Sequence, residues 1–205
     1  MINTTFYLRR LHSICGIVPI GLFLLEHVIT NASVIGGPAP FNAAVGRLAA
    51  IPHEIMIPLE ICGVAIPFLF HGIYGAYIAL QAKNNPGSYG YARNWQFALQ
   101  RWTAWFVAAF LIWHVVYLRI MVKGGGTPIS YELLQSYFSN PLVFVLYTIG
   151  MIAAIFHFCN GLSTFCMTWG IAKGPRIQSV ITKGCLGLCA LLSLVTLIFM
   201  STYLM

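Results

Sequence analysis

The chain has 205 residues, of which 59% are hydrophobic and only 7% are charged. A water-soluble domain keeps roughly a quarter of its residues charged, so this composition excludes an ordinary soluble enzyme or binding module. The net charge of +7 comes from basic residues that are scattered along the chain, which does not suggest a nucleic-acid partner.

Apolar segments of about 20 residues, long enough to cross a bilayer, recur along the whole length. We therefore predict an all-α integral membrane protein whose residues 1–205 form a single domain. Turn-rich connectors separate the segments, and we expect the first of them, "GGPAP" at 36–40, to break any helix. In chain order, the five predicted transmembrane helices cover approximately residues 11–30, 55–82, 95–122, 142–171 and 180–204.

Basic residues favour one set of helix ends. The first apolar segment is too long for the apolar part of a signal peptide and carries Glu26 and His27, so we expect it to be retained. Because cytoplasmic loops are enriched in Lys and Arg, the distribution predicts a cytoplasmic N-terminus and an outer C-terminus. The predicted inner ends hold Arg9, Arg10, Lys83, Arg93, Arg101, Lys173, Arg176 and Lys183, and the outer loops hold Arg47, Arg119 and Lys123.

Four histidines lie inside the first four predicted helices, one in each: His27, His71, His114 and His157. Ionisable residues inside a membrane are costly and mark a functional site by default. At about 1.5 Å per residue, His27 and His114 lie roughly 25–30 Å from the inner ends of their helices, and His71 and His157 roughly 17–20 Å. The four histidines therefore sort into an outer pair and an inner pair.

Two stacked histidine pairs on facing helices are the pattern of two bis-histidine haems, which the first four helices would hold as a bundle. Gly75 and Gly161 each follow a histidine by four residues, on the same helix face, where we expect them to leave space for a porphyrin edge. No C-x-x-C-H motif for covalent haem attachment occurs. The competing interpretation is that the histidines form interhelical hydrogen bonds and the glycines serve close packing.

The segments "FYLRRLHSICGIVPIGLFLLEHVITN", "FHGIYGAYIALQAKNNPGSYGYARNWQFALQR", "WHVVYLRI" and "IFHFCNGLSTFCMTWGI" carry a family resemblance. Together they resemble the dihaem cytochrome b membrane-anchor subunit of bacterial succinate dehydrogenases, of the b558 type found in Bacillus, with five transmembrane helices. The anchors of fumarate reductases are similar but more distant. The likeness extends over nearly the whole chain and includes all four histidines.

The resemblance implies an electron-transfer and quinone-binding subunit of succinate:quinone oxidoreductase in the bacterial cytoplasmic membrane. A flavoprotein subunit and an iron–sulfur subunit would bind on the cytoplasmic face, and the catalytic dicarboxylate site would lie on another subunit. Electrons would pass through a proximal haem b at His71 and His157 and a distal haem b at His27 and His114. They would then reach a quinone, usually menaquinone in this branch.

Quinone reduction consumes protons, so we expect polar groups at the outer mouth of the bundle. Glu60 lies eleven residues outside His71, and His53 and Glu54 come just before it. We predict that Glu60 serves the quinone, with His53 and Glu54 as accessory residues. The alternative is that Glu60 is a carboxylate near a helix start that snorkels to the interface.

The basic residues at the inner end have three possible roles that the sequence leaves open. They could neutralise the propionates of the proximal haem, form a platform for the iron–sulfur subunit, or only fix the topology. This set comprises Arg9, Arg10, His12, Arg93 and Arg101.

Three other function classes remain open at this stage. The same haem-binding anchor could serve a quinol:fumarate reductase, which runs the reverse reaction. The chain could also be the haem b subunit of a hydrogenase or a formate dehydrogenase. The third class is a haem-free anchor, or a small transporter that uses the histidines as proton relays.

Overall fold

A computed structural model describes residues 4–205, and within this range the chain is helical with no β-strand. Five of its helices are long and apolar enough to cross a membrane, which confirms the predicted fold class. We refer to them in chain order as the first to fifth spans: Thr4–Gly36, His53–Gln81, Ala92–Lys123, Pro141–Thr168 and Gly174–Leu204.

The observed ends of the spans differ from the predicted ends where charged or turn-forming residues lie inside a helix. The first span is already helical at Thr4, not near residue 11, because Arg9 and Arg10 continue the helix instead of preceding it. Their long side chains can reach the membrane surface from within the helix. The fifth span begins at Gly174, six residues earlier than predicted, with a proline in its first turn where a missing N–H costs nothing.

A short helix, Pro38–Ala49, comes after the first span. The expectation that "GGPAP" breaks any helix was right for the first span, which ends at Gly36, but wrong for the residues beyond Gly37. Gly37 has a φ of 99°, which redirects the chain, and Pro38 then occupies the first turn of the new helix.

A second short helix, Tyr131–Phe138, lies between the third and fourth spans. The Ser130 side chain caps it by accepting a hydrogen bond from the Leu133 N–H at 3.3 Å. It packs against the Pro38–Ala49 helix, and the Asn42 side-chain oxygen accepts a hydrogen bond from the Tyr131 N–H at 2.8 Å. The two short helices thus close the same end of the bundle.

Two spans contain wide turns of π-helix, Leu59–Ala65 in the second span and Val115–Lys123 in the third. Pro58 precedes the first of these and Pro67 comes after it. Because a proline ring clashes with the carbonyl one turn earlier, regular α-helical bonding cannot continue through this stretch. The π-helical part of the third span begins immediately after His114.

The fourth span is the centre of the bundle, since it packs against the first, third and fifth spans. Its residues Tyr147, Ile155 and Cys159 are all buried. Gly150 lies directly against the Phe110 ring of the third span, and a side chain at position 150 would overlap that ring. Small residues that allow close helix approach are typical of membrane bundles.

Candidate haem-binding site

The outer histidine pair is formed by the first and third spans. The ring centroids of His27 and His114 lie 5.8 Å apart, with an angle of 88° between the ring planes. The sequence placed these two residues at one level, and the structure brings them into direct proximity.

The inner pair is formed by the second and fourth spans. The ring centroids of His71 and His157 lie 6.2 Å apart, at an interplanar angle of 89°. All four histidines therefore meet in the two predicted pairs, whereas their role as iron ligands stays a prediction.

The spacing of both pairs fits a metal ion held between two imidazoles. A metal–nitrogen bond is about 2.0 Å, so two imidazoles that bind one iron from opposite sides place their ring centroids about 6 Å apart. Among the described residues, no cluster of three or more His, Cys, Asp or Glu side chains could hold a metal ion by itself. Six-coordinate iron with two imidazole ligands could take its other four ligands from a porphyrin.

Hydrogen bonds fix the orientation of the inner imidazoles. His71 Nδ1 lies 2.9 Å from the backbone oxygen of His12, and His157 Nδ1 lies 3.1 Å from the backbone oxygen of Gln100. Because a carbonyl oxygen only accepts hydrogen bonds, each Nδ1 carries the proton and each Nε2 keeps its lone pair. A carbonyl partner of this kind is typical of histidines that bind metals through the other nitrogen.

Gln100 anchors His157 more extensively than the sequence suggested. Its side-chain Nε2 donates to the His157 backbone oxygen at 3.0 Å and also lies 3.4 Å from His157 Nε2. Its Oε1 accepts a hydrogen bond from Asn160 Nδ2 at 2.7 Å. The signal for this role was an amide side chain within an apolar segment, which the sequence-based prediction did not use.

The glycines near the inner pair make room for side chains. A Cβ on Gly75 would lie 2.9 Å from His12 Nε2, and one on Gly161 would lie 3.5 Å from Gln100 Nε2. The His12 ring lies beside Gly75 and stacks on His71 at 4.2 Å between centroids, and the expected space for a porphyrin edge at Gly75 stays a prediction.

Gly16 makes a further contact that the sequence did not reveal. A Cβ at this position would lie 2.8 Å from His71 Nδ1 and would collide with the adjacent Cε1. Gly16 is part of the first span, so it determines how closely the second span can bring His71 to the first. A glycine one turn after His12 was the available signal.

The outer pair has a different environment. His114 Nδ1 is buried and has no hydrogen-bond partner in the described part of the chain. Tyr147 lies beside His114, with ring centroids 5.7 Å apart. Glu26, which precedes His27 in the sequence, forms a hydrogen bond within the first span: its Oε1 accepts from the Thr30 hydroxyl at 2.5 Å. Unsatisfied buried nitrogens are rare in folded proteins, and some of them belong to functional sites.

The residues predicted for quinone binding lie only partly together. Glu60 and His53 line a pocket of about 270 Å³ beside the π-helical segments, and Glu54 is not among its lining residues. Two basic residues of the third span, Arg119 and Lys123, complete its polar side. From the sequence, those two were assigned only to the outer loops.

The basic residues at the opposite end of the bundle contact other side chains. Arg10 lies over the Trp169 ring at 4.6 Å from its centroid, and Arg93 Nη2 donates to Gln178 Oε1 at 3.1 Å. Arg101 has a buried Nε that lacks a hydrogen-bond partner among residues 4–205. These contacts tie the ends of the spans together, and they leave the three predicted roles of this set open.

Comparison with known proteins supports the family suggested by the sequence. The family model described as "Succinate dehydrogenase/Fumarate reductase transmembrane subunit" matches residues 87–199, which is more than half of the chain. The chain is also similar to the succinate dehydrogenase cytochrome b558 subunit of Bacillus subtilis (strain 168). The two are 40% identical over 180 residues, which cover 88% of each chain. These matches confirm the resemblance to the Bacillus-type anchor and, with the five spans, a multi-pass membrane protein. The chain therefore belongs to the family of succinate dehydrogenase and fumarate reductase transmembrane subunits.

Proposed function

We propose that the chain is the membrane-anchor cytochrome b subunit of a succinate:quinone oxidoreductase. The observation that carries this proposal is the meeting of four histidines from four spans as two pairs, each at the centroid spacing that an iron between two imidazoles requires. The similarity to a cytochrome b558 subunit of succinate dehydrogenase supports the same function.

In this proposal His71 and His157 hold the proximal haem b, and His27 and His114 hold the distal haem b. A bound haem supplies one-electron transfer chemistry. With one imidazole from each of two spans as ligands, the iron of a bound haem would have no position left for water or oxygen. The carbonyl oxygens of His12 and Gln100 hold the protons on Nδ1 of the inner imidazoles, so that the lone pair of each Nε2 would bind the iron. At His157 the iron would replace the Gln100 side-chain amide, which lies 3.4 Å from Nε2.

The N-terminus and the basic ends of the spans face the cytoplasm of a bacterial cell, where the flavoprotein and iron–sulfur subunits bind. In this proposal the enzyme's dicarboxylate site lies on another subunit. The inner histidine pair is then the closer one to the iron–sulfur partner, and the outer pair is the closer one to the quinone.

The quinone, menaquinone in our proposal, binds in the pocket that Glu60 and His53 line. The pocket combines apolar side chains with a few polar groups, as small-molecule sites commonly do. Glu54 lies in the first turn of its helix, where a carboxylate interacts favourably with the helix dipole, and serves as an accessory residue near the mouth.

The reverse reaction is the second candidate, because the matching family description includes fumarate reductase. The proposed centres would carry electrons in either direction, since the direction depends on the potentials of the dicarboxylate and of the quinone. Assays of succinate:quinone and quinol:fumarate activity in the same purified complex distinguish the two.

The test of the proposed function is purification of the chain from its native membrane with whatever subunits remain bound. We expect two haems b per chain by pyridine haemochrome quantitation, together with a flavoprotein and an iron–sulfur protein. A haem-free preparation would contradict the cytochrome assignment. Two haems without a flavoprotein would instead point to a hydrogenase or formate dehydrogenase type of subunit.

A further inference from the structure

An ion pair joins the second and third spans at the quinone pocket. Arg119 Nη2 lies 2.6 Å from Glu60 Oε2, and Arg119 Nε donates to Glu60 Oε1 at 3.3 Å. It is the one salt bridge within residues 4–205. Two guanidinium nitrogens bond two carboxylate oxygens, so this bidentate ion pair fixes the relative orientation of the two side chains.

Both partners lie in the π-helical segments, Glu60 in Leu59–Ala65 and Arg119 in Val115–Lys123. Wide turns of this kind are rare and are frequent at functional sites. Their i to i+5 hydrogen bonds differ by one residue from those of an α-helix, so a local shift can re-aim a side chain without unfolding the span. The ion pair thus connects the π-helical stretches of the two spans.

The same ion pair borders the 270 Å³ pocket, together with His53 and Lys123. Arg119 lies five residues after His114 in the same span. The side chains are partly open to the pocket, since 47% of the Arg119 side chain and 33% of the Glu60 side chain remain exposed. A ligand that enters the pocket therefore meets the pair directly, close to the outer histidines.

We propose that Arg119 binds the quinone head group, and that it exchanges Glu60 for a quinone carbonyl oxygen when the quinone enters. The proposal rests on the proposed function. An ionised carboxylate only accepts hydrogen bonds, so Glu60 has no proton to give while both of its oxygens face the guanidinium. A carbonyl oxygen accepts hydrogen bonds equally well and can replace one of them on Arg119.

The exchange leaves Glu60 free to carry a proton. Reduction of the quinone to the quinol requires two electrons, which the complex delivers from succinate, and two protons, one for each carbonyl oxygen. Glu60 takes one proton from water at the pocket mouth and gives it to one oxygen, and His53 does the same for the other. When the quinol leaves, the deprotonated Glu60 pairs with Arg119 again.

The two residues then have separable kinetic roles, which variants of the purified complex can measure with menadione, a soluble two-ring quinone. We expect Arg119→Gln to raise the KM for menadione about tenfold or more, with kcat changed less than about threefold, because a charge-assisted hydrogen bond to the substrate is lost. We expect Glu60→Gln to lower kcat about 100-fold without raising KM, as the loss of a general acid does.

Matched controls separate these effects from misassembly. Arg47→Gln removes an exposed arginine of the Pro38–Ala49 helix that does not line the pocket, and it should leave both constants unchanged. Haem content and succinate oxidation with an artificial dye report assembly. If Arg119→Gln fails to assemble, Arg119→Lys tests the same point. Lysine keeps the charge but lacks the planar guanidinium group with its several donors, so the KM for menadione should still rise.

The combined variant Glu60→Arg with Arg119→Glu distinguishes quinone binding by Arg119 from an ion pair that only holds the two spans together. It restores an ion pair but moves the cation to the other span, so the proposal predicts that quinone reduction stays impaired. Equal losses of activity in the two single variants, with recovery in the combined variant, would overturn the proposal.

Ala49→Phe, which narrows the pocket, tests whether the quinone binds there. If it leaves menadione reduction intact, the quinone site of the proposed function is misplaced; if it blocks reduction while Arg119→Gln is silent, only the role of Arg119 is wrong.

Discussion

At the scale of single residues, the four histidines divide by their surroundings as well as by their position. The inner imidazoles donate to backbone carbonyls, whereas His114 Nδ1 is buried without a partner in the described chain. The sequence predicted the pairs because one histidine per helix at two depths is a strong pattern. It did not predict the carbonyl partners, because these depend on how two helices meet in space.

Substitution of the histidines should remove the haems one at a time. We expect His27→Ala or His114→Ala to lose the distal haem while succinate oxidation with an artificial dye continues. His71→Ala or His157→Ala should lose the proximal haem and impair assembly, because in the proposed orientation this pair lies nearer the partner subunits. Reduced-minus-oxidised spectra and pyridine haemochrome quantitation measure the loss. Two normal haems in all four variants would show that the ligand assignment is wrong.

Gly16→Ala should displace His71 without removing any polar group. The new methyl group would overlap the His71 ring, and overpacking of this kind costs about 1–3 kcal/mol. We expect reduced occupancy of the proximal haem and a normal distal haem, measured by difference spectroscopy. Gly72→Ala is the matched control, since it adjoins His71 in sequence but would meet nothing within 4 Å. Equal haem content in the two variants would contradict the packing role of Gly16.

Gln100→Leu should weaken the hold on His157 at nearly constant side-chain volume. The change removes the bonds from Gln100 Nε2 to the His157 carbonyl oxygen and from Asn160 Nδ2 to Gln100 Oε1, while Asn160 keeps the Gln96 carbonyl oxygen as an acceptor. A hydrogen bond of this kind contributes about 0.5–1.5 kcal/mol. We expect the proximal haem to be released at a lower temperature than in the parent complex, as monitored by its absorbance during heating. Unchanged release would mean that the carbonyl of residue 100 alone positions His157.

At the scale of helices, hydrophobicity located the five spans but not the two short helices between them. Pro38–Ala49 was missed because its first residues, "PAP", were taken as a helix break, although proline suits a first helical turn. Tyr131–Phe138 was missed because eight residues give little periodicity to detect. The π-helical segments were also invisible in the sequence, since Pro58 and Pro67 mark only one of the two.

The contact between the short helices can be tested through Asn42. Asn42→Ala removes the acceptor of the Tyr131 N–H at the start of the Tyr131–Phe138 helix, so the first turn of that helix should open more often. We expect faster amide hydrogen exchange in residues 131–138, measured by mass spectrometry, with exchange in the fourth span unchanged. Asn84→Ala, in the connector after the second span, is the control. The idea fails if both variants exchange at the parent rate.

At the scale of the whole molecule, the inner histidine pair, the outer histidine pair and the pocket follow in this order along the helical bundle. In the proposed orientation, an electron that travels from the inner pair to the quinone moves from the cytoplasmic side towards the outside. Such a movement through a membrane potential is worth about 2.3 kcal/mol per charge per 100 mV. If the proposed orientation and function hold, the potential, negative inside, assists the transfer of electrons from succinate to a low-potential quinone.

Collapse of the membrane potential in intact cells should slow this transfer. We expect an uncoupler to inhibit reduction of menaquinone by succinate, while reduction of an artificial dye by the same enzyme stays unchanged because the dye accepts electrons before they cross. Quinol and quinone extracted from the cells report the outcome. A quinone pool that is reduced equally fast with and without the potential would contradict the proposed orientation.

The carbonyl contacts of His71 and His157 have a consequence for how the complex matures. Because the acceptors are backbone carbonyls of the chain itself, they limit the rotation of both rings, so little conformational freedom should be lost on haem insertion. In the outer pair, His114 Nδ1 has no such partner among the described residues. We therefore expect the inner cavity to load first during biogenesis, and the outer porphyrin to be the one that harsh detergent washes out.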